Sequence, residues 1–330
     1  MSVSDPRSWR SAAAAAGDAH APVAAALELA GPFVDALDGA GAGAAGALDL
    51  LAAVGSGDLT VARVLEPHLD ALTILAEAGM VAAAGTWGVF AAEAPGSVLR
   101  AEPAGSGWTL SGVKPWCSLA GVLDRALVTA TLEGGRRLFA VDLRHPGVVP
   151  RDVAWVARGL RDVVSTPVGF DAVPAEPVGG TGWYVERPGF GWGAIRVASC
   201  WLGGAAGVLD DLRTDLATRP DPGEIRLFSL GVCDAALWAA ERVTTDAGRA
   251  IDAGEADGAA GSLLAARVRA VVAEAAETVL LASGHARGPA PLAFDERHAR
   301  RVADLGLYLR QHHAERDLAA LGRSVLHADG

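Results

Sequence analysis

Side chains equipped for chemistry gather in two places. One is the run Arg310-Gln311-His312-His313-Ala314-Glu315-Arg316-Asp317, which sets two carboxylates and two imidazoles among fixed positive charges. Such groups take up or release protons near neutral pH, the requirement for general acid–base work. The alternative reading of the run is a solvated turn. The other place is Lys114-Pro115-Trp116-Cys117-Ser118, where a flat indole, a thiol and a hydroxyl follow the only lysine of the chain. Cys117 has no histidine or helix start close by in sequence to lower its pKa, so its thiol reads as packing and not as a nucleophile.

The elements around these residues fall into three textures. Helical periodicity runs over 23–37, 44–54 and 59–78, the last opened by the capping cluster Ser56-Gly57-Asp58 and closed at Gly79. The stretch from Met1 to Ala21 also reads as helix, since it lacks the basic-then-apolar order of a targeting segment. Short apolar or alternating runs follow, at 87–91, 108–110, 126–130, 138–141 and 167–170, punctuated by glycine and proline. Around Lys114 this pattern reads as a hairpin, with a turn at Ser111-Gly112 and a second strand ending in Trp116-Cys117-Ser118. Helical periodicity returns over 194–216, 224–253, 259–281 and 296–325. The expected fold class is α+β: an N-terminal helical domain (1–80), a central β-domain (81–187) and a C-terminal helical bundle (188–330).

Composition narrows the function classes. A net charge of −11 without a basic cluster argues against nucleic acid as partner and offers no polybasic membrane anchor. No run of about 20 apolar residues free of charges and glycines is available to span a bilayer. The three cysteines, Cys117, Cys200 and Cys233, are odd in number, far apart and not in a C-x-x-C pair, which points to a reducing cytoplasm and to no disulfide frame or metal site.

Four segments, in order, resemble the acyl-CoA dehydrogenase family. They are Gly107-Trp108-Thr109-Leu110-Ser111-Gly112-Val113-Lys114-Pro115-Trp116-Cys117-Ser118; Asp124-Arg125-Ala126-Leu127-Val128; Arg158-Gly159-Leu160-Arg161 with Ser165 to Glu176; and Gly189-Phe190-Gly191-Trp192 leading to Arg196 and Gly203-Gly204. The resemblance implies the helix–sheet–helix architecture and FAD as cofactor. Trp116 would then lie flat against the flavin ring, Ser118 would donate its hydroxyl toward flavin N5, and Cys117 would lend backbone contacts. Glu93 and Ser97 stand where the family holds the pyrimidine edge, with Ala92 replacing a threonine. Arg219 and Gly223 match the family's adenine-side segment, with Pro222 in place of an aromatic, and Ser283-Gly284 stands for a Gly-Gly turn. His68 and Arg196 fall where the substrate cleft would be, and His285 reads as structural.

The resemblance also implies a glutamate that removes the α-proton of an acyl thioester, and here the chain departs. The expected position holds Arg310, and the alternative position holds Ile195. An arginine cannot accept a proton, but it can bind an anionic substrate group. Glu315 and Asp317 are the nearest carboxylates, with His312 and His313 as neutral bases. The reading is a flavin-dependent oxidoreductase acting on an acyl thioester or a related acyl substrate. A flavin-dependent monooxygenase on the same fold is the alternative, as is a silent subunit of a heteromer. The resemblance also implies self-association, or pairing with a paralogue, through the C-terminal helices.

Overall fold

The switch of periodicity near Gly79 marks where helices give way to a sheet. The computed structural model describes residues 5–327. Four helices come first: α1 (Pro6–Gly17), α2 (Pro22–Ala40), α3 (Gly43–Gly57) and α4 (Leu59–Glu77). The sequence reading of helix from Met1 lies, for residues 1–4, outside the described residues. Asp58 is extended between α3 and α4, and its carboxylate accepts the Val61 N–H at 3.1 Å, the capping expected of that cluster. Seven strands follow: β1 (Trp87–Phe90), β2 (Leu99–Ala104), β3 (Gly107–Lys114), β4 (Arg125–Leu132), β5 (Gly135–Asp142), β6 (Val148–Pro150) and β7 (Val168–Val178). The chain then returns to helix: α5 (Trp183–Glu186), α6 (Phe190–Ala217), α7 (Glu224–Asp252), α8 (Gly258–Arg287), α9 (Ala290–Phe294), α10 (Glu296–Tyr308) and α11 (Glu315–Leu326). No helix is long and apolar enough to cross a membrane among the described residues.

Two compact units result. The barrel unit comprises residues 67–156 and 161–190. Its strands pair in the order β4-β2-β3-β7-β5, and β5 pairs back with β4, so the sheet closes on itself. Closure leaves these five strands without a free edge. The first half of β4 also takes β1 in parallel, and β6 adds to β7. Strand β4 is buried on both faces over Ala126–Ala130. Leu127 packs with Leu138, Val178 and Trp87 against Ala71, Ile74 and Leu75 of α4, and alternation sends Ala126 and Val128 to the other face.

Two local expectations are corrected here. Ser111-Gly112 is not a turn: β3 runs unbroken from Gly107 to Lys114, and the register against β7 shifts between Leu110 and Gly112. Gly112 has φ +125°, and a Cβ there would collide with the Val98 carbonyl, so glycine serves a β-bulge. The hairpin turn lies instead at Gly105, between β2 and β3. Residues Trp116-Cys117-Ser118 are loop, not strand.

The helical unit comprises the residues up to Glu66, Ala157–Leu160 and those from Gly191 onward. Glycines let α3 and α6 approach closely: a Cβ on Gly203 would collide with the Ala52 carbonyl, and one on Gly55 would lie 2.8 Å from the Cys200 carbonyl. Arg301 of α10 fixes the end of α3, donating to the carbonyls of Ser56 (3.2 Å) and Gly57 (3.4 Å). The same guanidinium pairs with Asp211 of α6 at 2.6 Å, and His298 Nδ1 lies 2.8 Å from the other Asp211 oxygen.

The last helix expected, 296–325, is two helices. After α10 come a single 3-10 turn at Leu309–Gln311, an extended His312 and Ala314 at φ +43°. The break has a local cause, since the His313 N–H is captured by the Asp317 carboxylate at 3.0 Å. Ser283-Gly284 is likewise no turn but lies inside α8, which ends only at Gly288 (φ +70°).

Candidate functional site

In the barrel unit, the β3 bulge delivers Lys114 to the buried end of its strand. Its ammonium donates to Glu93 Oε1 and to Thr129 Oγ1, both at 2.8 Å. Glu93 also meets Arg136 at 3.4 Å. Burial pushes the Lys114 pKa below the usual lysine value, opposed by Glu93. The pair ties the loop after β1 to the loop after β3. Gly96, at φ +79°, turns that first loop so that the Ser97 N–H returns to the Ala94 carbonyl at 3.2 Å.

The loop after β3 is pinned through its backbone. The N–H groups of Cys117 and Leu119 donate to the carbonyls of Thr166 (3.2 Å) and Val164 (2.8 Å). Trp116 (φ +57°) and Leu119 (φ +62°) both occupy the left-handed region, an arrangement held in place by that pairing. The outcome is an indole that is 58% exposed on a fixed backbone. Beside it, Ser118 Oγ lies 2.8 Å from Ser165 Oγ, and the Ser165 hydroxyl donates to the Val163 carbonyl at 2.9 Å. Cys117 is buried and its thiol points at the Lys114 carbonyl (3.3 Å). Burial pushes its pKa up to about 12, so it is no nucleophile. All three cysteines are free and buried.

His68, also in this unit, is buried, and its Nδ1 accepts the Trp87 N–H at 3.1 Å. Burial lowers its pKa, so the ring is neutral with its hydrogen on Nε2.

In the helical unit, the polar run lines a cavity of about 530 Å³ among α7, α8 and residues 309–318. Ala236, Ala239 and Val271 supply apolar wall, with Glu277, Arg310 and His312 on its polar side. Arg310 pairs with Glu277, and its Nε donates to the Gly306 carbonyl at 3.2 Å. Asp317 is committed to His313. Burial favours its neutral form, but the His313 N–H and the charges of His313, His312 and Arg269 outweigh it, so its pKa lies below the usual carboxylate value. Glu315 is exposed in the first turn of α11.

His312 is half-buried, and burial lowers its pKa, which leaves a neutral imidazole. Its ring meets Trp201 edge-on at 6.4 Å. Arg269 holds this corner: its guanidinium lies 4.5 Å from the Trp201 ring centre and donates to the carbonyls of Gln311 (2.8 Å) and Ala194 (3.3 Å).

The structure therefore joins Glu93 to Lys114, sets Trp116, Cys117 and Ser118 on the loop that follows Lys114, and places Arg310 and Asp317 at the helix break. Arg219 stands apart at the end of α6, held by Asp215 at 3.1 Å. Arg196 is buried on α6, and Gly284 is inside α8. Sequence reasoning missed the roles of Lys114, Ser165 and Arg269. The uniqueness of Lys114 was its one visible signal, and the other two act on partners 47 and 42 residues away. No group of residues able to hold a metal ion occurs among the described residues.

No family model matches the sequence, and no curated protein does. Solved structures do. Butyryl-CoA dehydrogenase from Megasphaera elsdenii superposes with a TM-score of 0.82 at 16% identity, covering 99% of each chain. TdsC from Paenibacillus sp. A11-2, in complex with FMN and indole, gives 0.80 at 16% identity over 98% of this chain and 95% of that one. KijD3 in complex with FMN and a dTDP-linked amino-keto sugar gives 0.73 at 23% identity over 95% and 85%. The chain has the acyl-CoA dehydrogenase fold.

Proposed function

We propose that this chain, built on the acyl-CoA dehydrogenase fold, is a flavin-dependent oxidoreductase. The observation that carries the reading is Trp116, an indole 58% exposed at the start of a loop whose next residues are pinned by the Cys117 and Leu119 N–H groups, with the Ser118 hydroxyl two residues on. Left-handed backbone, an exposed aromatic face and a neighbouring hydroxyl form a set suited to a planar heteroaromatic ring. Trp116 would cover one face of the flavin, Ser118 would stand at N5, and Cys117 would contribute backbone. Ser97, through its turn, would meet the pyrimidine edge. Glu93 would act through Lys114, which fixes the two loops relative to each other. When bound, the flavin supplies the electron-accepting centre.

The resemblance names FAD, whereas FMN is the flavin in two of the similar structures. Arg219, the adenine-side candidate, is engaged by Asp215, and Gly284 offers no turn, which supports testing both flavins. His68 would have only Nε2–H to offer a substrate.

A second reading is favoured by a specific observation. Where α-proton removal needs a free carboxylate, Arg310 is paired with Glu277, Asp317 is tied to His313, and Glu315 is exposed. The half-buried group able to accept a proton there, with Asp317 tied to His313, is the neutral His312. That supports an oxygen-using flavin enzyme over acyl thioester dehydrogenation, with a small acyl or related molecule as substrate. Self-association through α7 and α8 is part of the proposal, since Phe228, Trp238 and Leu281 are exposed there.

The experiment is anaerobic mixing of flavin-loaded protein with a panel of saturated acyl-CoAs, followed by oxygen-consumption measurements on the reduced protein. No bleaching with any thioester, together with oxygen uptake after chemical reduction, is expected. Rapid bleaching that survives loss of both Glu315 and Asp317 carboxylates would overturn the oxygenase reading. Flavin-free protein would favour a silent subunit.

A further inference from the structure

We infer that this chain takes FMN in preference to FAD, because Asp215 and Asp221 close the segment that would receive the adenine half of FAD. The inference rests on the flavin reading above. The resemblance sets the adenine half against residues 219–223, between α6 and α7, and against Ser283-Gly284. A diphosphate there needs cationic side chains or unengaged backbone N–H groups.

The cations of this segment already have acceptors within the chain. Arg219 donates through Nη2 to both Asp215 oxygens, at 3.1 and 3.2 Å. Arg226 donates to the carbonyls of Pro222 and Ala286, both at 3.2 Å. The start of α7, where N–H groups without a helical partner attract anions, carries anions of its own. Asp221 accepts the Gly223 N–H at 2.9 Å, and Glu224 adds a carboxylate in the first turn. Pro222 stands where the resemblance implies an aromatic ring. Ser283-Gly284 lies inside α8, so its backbone N–H groups belong to the helix ladder.

Across residues 215–226, three carboxylates stand against two guanidiniums. The diphosphate of FAD would meet like charge there and would have to displace Asp215 from Arg219. FMN has no adenine half and makes no such demand. The Asp215–Arg219 pair is itself a weak, partly exposed ion pair, so the discrimination comes from carboxylates that act on the extra group of FAD alone. Arg287 is the cation that a diphosphate could recruit instead. It lies in the last turn of α8 beside Ala286, and its Nε and Nη1 have no acceptor among the described residues. Both atoms are buried, out of reach of a ligand arriving from solvent.

The test is calorimetric titration of flavin-free protein with FMN and with FAD at one salt concentration, with chromatography of the flavin that copurifies. FMN should be the flavin released and should bind about tenfold tighter than FAD, the scale of two partly screened charge contacts. Asp215→Asn with Asp221→Asn removes both charges and keeps both acceptor oxygens. In that double variant FAD affinity should rise about tenfold while FMN affinity stays unchanged. Glu224→Gln, at an exposed position, should shift the preference in the same direction and serves if circular dichroism shows the double variant misfolded. Arg287→Gln should leave both affinities as in wild type. FAD bound as tightly as FMN, a preference unaltered in the folded carboxylate variants, or FAD affinity lost in Arg287→Gln would overturn this inference alone. Failure of folded wild-type protein to bind either flavin would overturn the flavin reading, and this inference with it.

Discussion

Replacing Lys114 by methionine tests whether this one cation holds the two loops in register. The Lys114 side chain is 2% exposed, with Glu93 and Thr129 each 2.8 Å from its ammonium. Its bond to buried Thr129 is charge-assisted, a class worth about 1.5–3 kcal/mol when removed. Glu93 is 43% exposed and keeps Arg136, so that pair is screened and adds no more than about 1 kcal/mol. Methionine fills the space of the lysine stem and relieves the burial of a charge, offsetting part of the loss. The net expectation is a loss of about 1–3 kcal/mol in urea unfolding at pH 7.5. The pH dependence carries a definite sign. Burial lowers the folded-state pKa of Lys114, so above that value the unfolded chain binds more protons than the folded one. Wild-type stability relative to the variant is constant below the folded pKa and rises with pH up to the unfolded value. Hydrogen exchange at 92–97 and 115–118 should quicken in the variant. Equal stability at pH 7.5, or a gap that narrows toward alkaline pH, would refute the reasoning.

Asp211→Asn should cost about 2–4 kcal/mol, because buried Arg301 loses its carboxylate. Burial favours the neutral form of Asp211, but its bonds from His298 and Arg301 hold its pKa below the usual value. Its contribution is therefore present above the unfolded pKa and lost as pH falls through the folded one; acid titration of urea midpoints should show this loss in wild type and not in the variant. Arg269→Ala should speed hydrogen exchange at 309–314 and raise the His312 pKa, since the Arg269 charge is one of the causes that lower it. An unmoved His312 titration by NMR would contradict that coupling. Gly203→Ala should lower the thermal midpoint by an amount equivalent to about 1–3 kcal/mol, because the added methyl meets the Ala52 carbonyl; a neutral result would contradict the close α3–α6 crossing.

The order of helices, sheet and helices was legible because alanine-leucine periodicity and short alternating runs carry distinct signals. The Asp58 cap was legible for the same reason, since it is a property of neighbouring residues. The bulge at Gly112 was not: Ser-Gly marks a turn and a bulge equally well, and only pairing with β7 decides between them. Strand β2 was hidden by Pro103, which sits opposite Trp108 of β3. The break at residues 312–314 carries neither glycine nor proline. It is imposed by Asp317 on His313 and by Arg269 on the Gln311 carbonyl, the second from another helix. At the site, Trp116 and Ser118 stood out as a local motif, whereas the Ser165 partner of Ser118 lies 47 residues away. The carboxylates of the polar run were visible as residues, but their commitments were not.

The central claim, that the Trp116 loop receives a flavin, is tested most directly by the absorbance spectrum of the purified protein with chromatographic identification of any released cofactor. The two absorbance bands of oxidised flavin are expected, either on purification or after incubation with FAD or FMN and desalting, with their strong loss in folded Trp116→Ala. A correctly folded wild-type protein that stays colourless after incubation with both flavins, or a Trp116→Ala variant with undiminished flavin occupancy, would contradict it.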